Sequence, residues 1–266
     1  DRYAVIGNPI SHSKSPLIHA LFAKQTGQDI SYEAIAAPLD GFVSTIERLR
    51  SEGYKGCNLT VPFKFEALKC AAELSERAQA AQAVNTLKFE DGKIIGDNTD
   101  GAGLVRDIEH NLGVSLEGKR VLLMGAGGAA YGVVLPLLAA GASLTIVNRT
   151  ASRAVEMEMK FPDAAIRGCG YADLTGLQFD LVINATSAGL TDSEIPLPPG
   201  IFAEGALAYD MMYGRETPFM KFARQQGAQV ADGLGMLVEQ AAEAFYIWRG
   251  VRPDTAPVIA QLRTPQ

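Results

Sequence analysis

The chain has 266 residues, 47% of them hydrophobic and 20% charged, which is the composition of an ordered globular protein with a sizeable core. Its formal net charge of −6, without any run of basic residues, argues against a general nucleic-acid binder. The apolar run from Val133 to Ala140 is interrupted by Pro136 and is far short of the roughly 20 residues that a membrane helix needs. The length favours two domains of modest size.

The cysteines and histidines indicate neither a disulfide framework nor a metal site. The cysteines are odd in number and form no C-x-x-C pair, and the histidines lack a carboxylate or cysteine neighbour at ligand spacing. The N-terminus has no signal-peptide pattern, so we expect a cytoplasmic protein with reduced thiols and no bound metal. The residues concerned are Cys57, Cys70, Cys169, His12, His19 and His110.

Short β-rich runs alternate with helical patterns from the first residue, which predicts an α/β fold. In the first hundred residues the strand candidates are YAVIG, ISYEAIA and CNLTV. Helices are predicted from Ser15 to about Gln25 and through residues 42 to 49. In NTLKFEDGKIIGD, Asp91 and Gly92 separate two strand-like pieces, which predicts a two-residue hairpin turn.

A second unit is predicted beyond Asp100. That residue precedes a helix with one apolar face, which is expected to bridge two domains and to stop at Gly113. The run KRVLLMG has the pattern of a buried strand, and an apolar helix ending near Gly141 and the strand SLTIVN follow it. DLVINA and ALAYD are further strand candidates. A long helix is predicted from Leu234 to Trp248, and a shorter one after Pro257.

A glycine-rich turn, GAGGAA, stands between the strand KRVLLM and the apolar helix. Gly125, Gly127 and Ala130 fit the pattern G-x-G-x-x-G/A, in which small residues let the backbone approach a pyrophosphate at the positive end of a helix. The alternative is that these glycines only allow the helix to pack closely on the sheet. The position between a strand and a helix favours a dinucleotide site.

The end of the next strand distinguishes between the two nicotinamide dinucleotides. A cofactor with a free ribose 2'-hydroxyl usually meets Asp or Glu roughly 20 residues after the first glycine. Here the chain has Asn148, Arg149 and Thr150, with Arg153 just beyond. A guanidinium pairs with a 2'-phosphate, and no acidic group is present to repel it, so NADP is favoured over NAD. Arg149 is the stronger candidate, because Arg153 could equally be a solvated helix residue.

Polar residues near the N-terminus and before the bridging helix suggest a ligand pocket. Ser13 and Ser15 flank a predicted helix start, with Ser15 as N-cap and Pro16 as the first helical residue, where hydroxyls and free amides can hold a carboxylate. Lys64 and Asp100 lie in two polar runs, NLTVPFK and GDNTDGAG, and suggest proton transfer beside hydride transfer. Taken singly, each could be a cap or a solvated side chain. Neutral polar candidates are Asn58, Thr60, Asn85 and Gln240.

A set of motifs resembles the shikimate dehydrogenase family, and runs in order from Gly7 to Phe245. The motifs are GNPISHSKSP, NLTVPFK, AVNTL, GDNTDGAG, GAGGAA, NRTASR, NATSAG, YDMMYG and DGLGMLVEQAAEAF. The resemblance implies reversible NADPH-dependent reduction of 3-dehydroshikimate to shikimate, in the pathway to chorismate and aromatic amino acids. It also implies a substrate domain of residues 1–100 with 237–266, and a Rossmann-type, doubly wound NADP-binding domain of residues 101–236. The active site would lie in the cleft between them.

The same resemblance implies roles for the polar residues. Lys64, paired with Asp100, would donate and accept the proton as hydride passes between the nicotinamide and the ring ketone. Ser13 and Ser15, with help from Tyr213, would hold the substrate carboxylate. The ring oxygens would meet Thr60, Asn85, Asp100 and Gln240.

For the cofactor, the resemblance implies three contact regions. The pyrophosphate would lie on the glycine turn, the adenosine phosphate at the strand end after it, and the nicotinamide near YDMMYG and DGLG. The implied residues are Gly125, Ala126, Gly127, Gly128, Ala129, Asn148, Arg149, Thr150, Arg153, Met211 and Gly233. Tyr131 departs from the arginine common at its place, which puts one cationic contact to the cofactor in doubt. Phe65 replaces a usual acidic residue but leaves Lys64 itself unchanged.

Two rival functions stay open from the sequence. A quinate/shikimate dehydrogenase using NAD would more comfortably carry an acidic residue near Asn148 or Arg149. A non-catalytic NADP-binding sensor would more naturally have lost Lys64 or Asp100, and both are present. We expect a small-molecule substrate, no nucleic-acid or membrane partner, and a monomer or homodimer.

Overall fold

A computed structural model describes residues 1–186 and 196–265, and it divides the chain into two compact α/β units. The first unit comprises Asp1–Gly103 and Leu237–Gln266, and the second comprises Leu104–Met236. Ser187, Ala188 and Gly189, which end the NATSAG motif, lie outside the described residues. Among the described residues, no helix combines the length and the apolar character that crossing a bilayer requires.

The described elements alternate between strands and helices along most of the chain, as predicted. The strands are β1 (Arg2–Gly7), β2 (Ser31–Ala36), β3 (Gly56–Leu59), β4 (Glu73–Leu74), β5 (Thr86–Glu90), β6 (Lys93–Asp97), β7 (Arg120–Met124), β8 (Ser143–Val147), β9 (Ile166–Cys169), β10 (Phe179–Asn184), β11 (Phe202–Asp210) and β12 (Gln229–Ala231). The helices are α1 (Ser15–Thr26), α2 (Phe42–Ser51), α3 (Lys64–Cys70), α4 (Glu76–Ala81), α5 (Asp100–Arg106), α6 (Gly128–Ala139), α7 (Ala151–Met159), α8 (Pro218–Gln225), α9 (Leu234–Arg249) and α10 (Ala256–Arg263).

The sheet of the first unit has the strand order β2-β1-β3-β5-β6-β4. β1 pairs in parallel with β2 and β3, whereas β5 runs antiparallel to β3 and β6. The predicted hairpin between β5 and β6 is confirmed, because Asp91 and Gly92 both have positive φ, at 51° and 75°. Since β3 and β6 both run opposite to β5, their C-terminal ends lie at the same edge of the sheet.

From Tyr3 to Gly7, β1 is apolar because both of its faces are covered. Ala4 and Ile6 contribute to a core cluster that includes Phe42. Tyr3 faces the opposite side and stacks on Trp248 of α9, with 4.4 Å between the ring centroids. A strand with two buried faces loses the alternation of polar and apolar residues, which explains the continuous run YAVIG.

The second unit contains a fully parallel sheet in the order β12-β11-β10-β7-β8-β9. The strand order reverses between β7 and β10, which is the doubly wound Rossmann arrangement that the sequence predicts. Val121 and Leu123 of β7 pack in one core cluster, and Leu122 and Met124 pack in another. The prediction of a mixed α/β protein with a Rossmann-type sheet is confirmed.

Two local predictions at helix starts are wrong in detail. Lys14, rather than Ser15, occupies the N-cap position of α1, and Ser15 is the first helical residue. The Ser13 hydroxyl accepts the N–H of Ser15 at 3.2 Å, a local turn that competes with conventional capping. Asp100 is likewise the first residue of α5, and its N–H donates to the side-chain oxygen of Asn98 at 3.1 Å. The predicted helix then continues as a π-helical segment, Asp107–Asn111.

Candidate active site

The structure joins Lys64 and Asp100 in the first unit. Lys64 opens α3 soon after β3, and Asp100 opens α5 soon after β6, so both residues follow strands that end at the same edge. The Lys64 Nζ lies 2.7 Å from the Asp100 Oδ2, and the two side chains are 29% and 16% exposed. Because the pair is partly shielded from water, its charges interact more strongly than those of a surface pair.

Asn85 holds the second oxygen of the Asp100 carboxylate. Its side-chain amide donates to the Asp100 Oδ1 at 3.0 Å and contacts the Thr99 Oγ1 at 2.8 Å. The side-chain oxygen of Asn85 accepts the N–H of Thr99 at 2.8 Å. Asn85 and Thr99 are both buried, so this exchange fixes the start of α5 and the direction of the carboxylate.

Gln240 of α9 approaches the same group from another element. Its side-chain oxygen lies 3.4 Å from the Asn85 Nδ2 and from the Thr99 Oγ1, while its amide donates to the carbonyl of Leu237 at 2.8 Å. The long contacts are weak hydrogen bonds by themselves. They place Gln240 with Lys64, Asn85 and Asp100 in one polar group, as the sequence predicts.

A buried chain of hydrogen bonds extends this group across the sheet. The Asn58 amide donates to the carbonyl of Asn85 at 3.2 Å and to the Thr86 Oγ1 at 3.0 Å, and Thr86 donates to the Asn85 Oδ1 at 2.9 Å. The Tyr32 hydroxyl donates to the Asn58 Oδ1 at 2.7 Å. Tyr32, Thr86 and Thr99 were missed by the sequence analysis, because only the strand pairing brings them to Asn58 and Asn85.

The two N-terminal serines connect to this chain through Tyr32. The Ser15 side chain lies beside the phenol of Tyr32 and acts to lower its pKa, but burial dominates and raises it. Ser13 is positioned by its contact with the Ser15 N–H. Thr60 follows β3 directly, and its N–H donates to the carbonyl of Ile6 at 3.0 Å. Ser13, Ser15 and Thr60 thus belong to the first unit, whereas Tyr213 belongs to the second.

The glycine-rich turn of the second unit has the shape that an anionic dinucleotide needs. Gly125 has φ +113°, and a Cβ there would lie 3.1 Å from the carbonyl oxygen of Ala185. Gly127 is exposed at the N-cap of α6, and among the described residues no atom beyond its chain neighbours lies within 4 Å of the position that a Cβ would occupy. The first turn of α6 contains no acidic residue, so no carboxylate of the helix itself competes for its free N–H groups. Ala126 is buried, whereas Gly128 and Ala129 begin the helix.

The strand end after β8 supplies the predicted cationic residues. Asn148 donates from its side chain to the carbonyl of Thr150 at 3.1 Å, which shapes the loop before α7. Arg149, Thr150 and Arg153 are exposed. Burial raises the pKa of Tyr171 to about 12, and the charge of nearby Arg149 acts in the opposite direction. The cationic, acid-free strand end fits a phosphorylated ribose.

A buried carboxylate, Asp210, organises the loop that contains Met211 and Tyr213. Asp210 accepts hydrogen bonds from the Thr217 hydroxyl at 2.6 Å, from the N–H of Met212 at 2.9 Å and from the Asn184 amide at 3.3 Å. Burial raises its pKa above the ordinary range, against the effect of these hydrogen bonds. The sequence analysis missed this role, although Asp210 belongs to the YDMMYG motif, because its partners Asn184 and Thr217 are brought to it only by the fold.

Gly233 packs against the same loop. Its N–H donates to the carbonyl of Met212 at 2.9 Å, and a Cβ at position 233 would lie 2.1 Å from the carbonyl oxygen of Met211. Only glycine fits this approach. Met211 and Gly233, predicted separately from two motifs, are therefore brought together by the fold.

The side chain of Tyr131, the residue that departs from the family motif, is covered by Lys160, which follows α7. The Lys160 Nζ lies 4.6 Å from the centroid of the Tyr131 ring. This is a cation–π contact within the second unit. Phe65, the other departure, is 55% exposed beside Lys64.

A Rossmann sheet with an open glycine turn, in the same chain as a shielded lysine–carboxylate pair, defines an NADP-dependent dehydrogenase class. Three family models match parts of the chain. They describe a shikimate dehydrogenase substrate binding domain at residues 5–87, a shikimate/quinate 5-dehydrogenase at residues 107–191 and a shikimate 5'-dehydrogenase C-terminal domain at residues 233–263.

Full-length relatives agree with these matches. A shikimate dehydrogenase (NADP(+)) of Methylobacillus flagellatus is 62% identical over 267 residues, covering 99% of both chains. The solved structure of an Ael1 enzyme from Pseudomonas putida is 54% identical, covers 100% of this chain and 99% of its own, and has a TM-score of 0.96. Shikimate 5-dehydrogenase from Thermus thermophilus, solved with NADP(H) and shikimate, is 35% identical over 98% of both chains, with a TM-score of 0.89. The chain belongs to the shikimate dehydrogenase family.

Proposed function

We propose that the protein is an NADP-dependent shikimate dehydrogenase, which reversibly reduces 3-dehydroshikimate to shikimate in the pathway to chorismate and aromatic amino acids. The family membership supports this reaction and this cofactor. The single structural observation that carries the proposal is the 2.7 Å contact between Lys64 and Asp100, whose carboxylate is held by Asn85. This pair supplies the acid–base group that the reaction needs.

Lys64 is proposed to be the proton donor and acceptor. In reduction its ammonium group would donate a proton to the oxygen of the ring ketone as that oxygen gains negative charge. In the reverse direction its amine would accept the hydroxyl proton. Asp100 would keep the lysine side chain in place, because one carboxylate oxygen contacts the ammonium group and the other is fixed by Asn85.

The remaining polar residues are proposed to orient the substrate. Ser13 and Ser15, with Tyr213, would hold the carboxylate of the substrate, since hydroxyl groups at a helix start suit a carboxylate. Neutral amides and hydroxyls suit a ring with several hydroxyl groups, because each buried donor or acceptor rejects an analogue that lacks its partner. The proposed ring contacts are Thr60, Asn85, Asp100 and Gln240.

NADP is the proposed cofactor and, when bound, would supply or accept the hydride. Gly125 to Ala129 would hold the pyrophosphate through backbone N–H groups at the start of α6. Asn148 to Arg153 would hold the adenosine phosphate, and Met211 and Gly233 would lie near the nicotinamide. The absence of acidic residues from 148 to 153 supports NADP over NAD. The cytoplasmic location and the monomeric or homodimeric state stay predictions.

An absorbance assay at the nicotinamide band tests the reaction, the substrate and the cofactor together. Purified protein is mixed with shikimate or quinate and with NADP+ or NAD+. We expect rapid reduction of NADP+ with shikimate, and weak activity in the other three combinations. A strong preference for NAD+ or for quinate would favour the quinate/shikimate dehydrogenase alternative. NADP+ binding without turnover on either substrate would favour the non-catalytic sensor.

A further inference from the structure

His19 is a buried titratable residue that the proposed mechanism does not use. It lies on α1 with no solvent exposure, and neither ring nitrogen has a hydrogen-bond partner among the residues that the structure describes. Burial lowers its pKa from 6.5 to about 3, so the ring is neutral in ordinary buffers. A buried polar group without a partner costs stability, and an apolar side chain would avoid this cost. The imidazole therefore needs an explanation other than hydrogen bonding or charge.

The flat face of the ring provides that explanation. His19 stacks on Tyr32, with 4.1 Å between the ring centroids and 8° between the ring planes. Phe22, Phe245 and Trp248 surround the histidine, with ring centroids 5.6 to 6.2 Å away. The histidine ring is held on several sides, so it forms a rigid surface for the tyrosine.

Tyr32 depends on such a surface for its position. It lies on β2, the edge strand of its sheet, most of whose residues are exposed. Backbone pairing with β1 fixes where Tyr32 leaves the strand, but the direction of a long side chain is set by the rings that pack on it. His19 makes the parallel stack, whereas Trp248 is tilted by 43° and its centroid is 6.3 Å away.

The phenol hydroxyl joins the two ends of the proposed substrate site. It donates to the Asn58 Oδ1 at 2.7 Å and lies beside the side chain of Ser15. Asn58 in turn donates to the carbonyl of Asn85, whose amide donates to Asp100. Ser15 belongs to the proposed carboxylate end, and Asp100 belongs to the proton-transfer end.

One helix contacts the tyrosine at two points. Ser15 and His19 are four residues apart on α1, so they share a face of the helix and project toward the same neighbour. Ser15 meets the hydroxyl group of Tyr32, and His19 covers its ring. Loss of the stack would let the side chain swing about its Cα–Cβ bond, and the hydroxyl would then move away from both Ser15 and Asn58.

We propose that His19 is a positioning residue of the substrate site, which acts by holding the phenol of Tyr32 between Ser15 and Asn58. The inference rests on the proposed function, because it assigns the effect to shikimate binding. His19 touches neither substrate nor cofactor in this account. Its contribution passes entirely through the hydroxyl group of Tyr32.

The test measures kcat and the KM for shikimate at saturating NADP+ in four variants. His19→Leu removes the stack, His19→Phe keeps a flat ring, Tyr32→Phe removes only the hydroxyl, and a double variant combines His19→Leu with Tyr32→Phe. We expect His19→Leu and Tyr32→Phe each to raise the KM for shikimate about three- to tenfold, the equivalent of one lost hydrogen bond, with kcat changed less than about twofold. His19→Phe should restore a KM close to that of the wild type.

The double variant separates positioning from general stability. If His19 acts through the phenol hydroxyl, the double variant should have the KM of Tyr32→Phe alone, because the hydroxyl that His19 positions is already gone. His110→Leu, the same change at an exposed histidine, is the matched control and should leave the KM unaltered. The KM for NADP+ should stay constant in every variant.

The outcomes distinguish this inference from the proposed function. A wild-type enzyme that reduces NADP+ with shikimate, while a folded His19→Leu variant keeps its KM, would overturn the positioning role alone. Independent, multiplying effects in the double variant would do the same. If His19→Leu fails to fold, Tyr32→Phe decides, because an unchanged KM there removes the hydroxyl from substrate binding. Wild-type protein that is inactive with shikimate would overturn both proposals.

Discussion

The two units prepare their proposed ligand sites by different physical means. In the first unit, buried side chains form hydrogen bonds with one another. The side chain of Asn85, for example, contacts Thr99, Asp100 and Gln240. In the second unit, the backbone and glycine residues form the site. At Gly127, for example, no described atom beyond the chain neighbours lies within 4 Å of the position that a Cβ would occupy. A network of side chains selects a ligand by its pattern of donors and acceptors, whereas an open backbone turn accepts any pyrophosphate. Specificity for the cofactor must then come from the strand end at Arg149.

The two units also differ in the groups that stabilise their shielded carboxylates. Asp97 of the first unit is paired with Arg77, at 2.7 and 2.9 Å from two guanidinium nitrogens. Asp210 of the second unit is fully buried, and its donors among the described residues are the neutral groups of Asn184, Met212 and Thr217. The pKa of Asp97 is lowered and that of Asp210 is raised, although burial acts to raise the pKa of both groups. The nearby guanidinium accounts for the difference in sign.

The largest effect is expected from Lys64→Ala. Loss of the proton donor should cut kcat by roughly two to four powers of ten, while the KM for shikimate changes much less. Lys69→Ala, an exposed lysine on the same helix, is the matched control. Initial rates with shikimate and NADP+ give both parameters. Near-normal turnover of the Lys64 variant would show that this residue takes no part in the chemistry. The first unit would then have no demonstrated reactive group, and the contrast with a second unit that only binds cofactor would be lost.

The next effect concerns stability and its dependence on pH. Burial would raise the pKa of Asp97, but Arg77, Ser75 and the N–H of Asn98 outweigh it, so the folded pKa lies below the ordinary value of about 3.9. The ion pair therefore stabilises the fold above about pH 4, and this stabilisation is lost as the pH falls through the lowered folded value. Asp97→Asn should reduce the free energy of unfolding by about 1.5 to 3 kcal/mol at neutral pH.

Urea unfolding at several pH values measures this change. The difference between wild type and Asp97→Asn should shrink as the pH drops below about 4, because the wild-type carboxylate becomes protonated. Asp180→Asn is the control: its pair with Arg120 is more exposed, so it should change stability much less. A constant difference between wild type and Asp97→Asn across the whole pH range would show that charge pairing at Asp97 contributes nothing.

Arg149→Ala tests where cofactor specificity comes from. Removal of the guanidinium should lower the ratio of kcat/KM for NADP+ to that for NAD+ by roughly one to two powers of ten, since a hydrogen bond to a charged phosphate contributes about 1.5 to 3 kcal/mol. Arg167→Ala, an exposed arginine on β9, should keep the wild-type ratio. An unaltered ratio in the Arg149 variant would show that another residue distinguishes NADP+ from NAD+. Arg153 would then be the next residue to test.

These contrasts also explain what the sequence could predict. Long buried strands such as β7 and the Asp91–Gly92 hairpin have local signatures, so their prediction needed no tertiary information. Strands β4 and β12 have only two and three residues, which is too short for a periodic pattern, and the four residues of β9 include Arg167 and Gly168 in place of an apolar run. Their positions depend on neighbouring strands, and the sequence analysis did not find them.

The candidate sites likewise contain some features that local sequence predicts and others that depend on tertiary contacts. The glycine turn was predictable, because a local strand–turn–helix pattern determines its backbone. The contacts of Tyr32 and Thr86 depend on strand pairing and on packing against α1, so spacing along the chain gave no sign of them. Ser15 was predicted as an N-cap because its residue type suits that position, but the neighbouring Ser13 hydroxyl made the competing turn.

The smallest effect, Gly127→Ala, tests the open backbone turn most directly. Gly127 has φ −99°, which alanine adopts without strain, and its added methyl group would meet no atom within 4 Å in the described part of the chain beyond its two neighbours. The variant should therefore unfold at the wild-type temperature and bind shikimate normally. Its KM for NADP+ should still rise about three- to tenfold, because the methyl group would occupy the space through which a pyrophosphate approaches the N–H groups.

Gly125→Ala provides the contrast to Gly127→Ala. At φ +113°, with the Ala185 carbonyl oxygen 3.1 Å from the new Cβ, alanine strains the protein itself and should lower the unfolding temperature even without cofactor. Both quantities are measured on both variants: the unfolding temperature reports strain in the fold, and the KM for NADP+ reports obstruction of cofactor binding. If Gly127→Ala kept both its stability and its KM, the turn would serve only to pack α6 on the sheet, and the proposed pyrophosphate site would have to be abandoned.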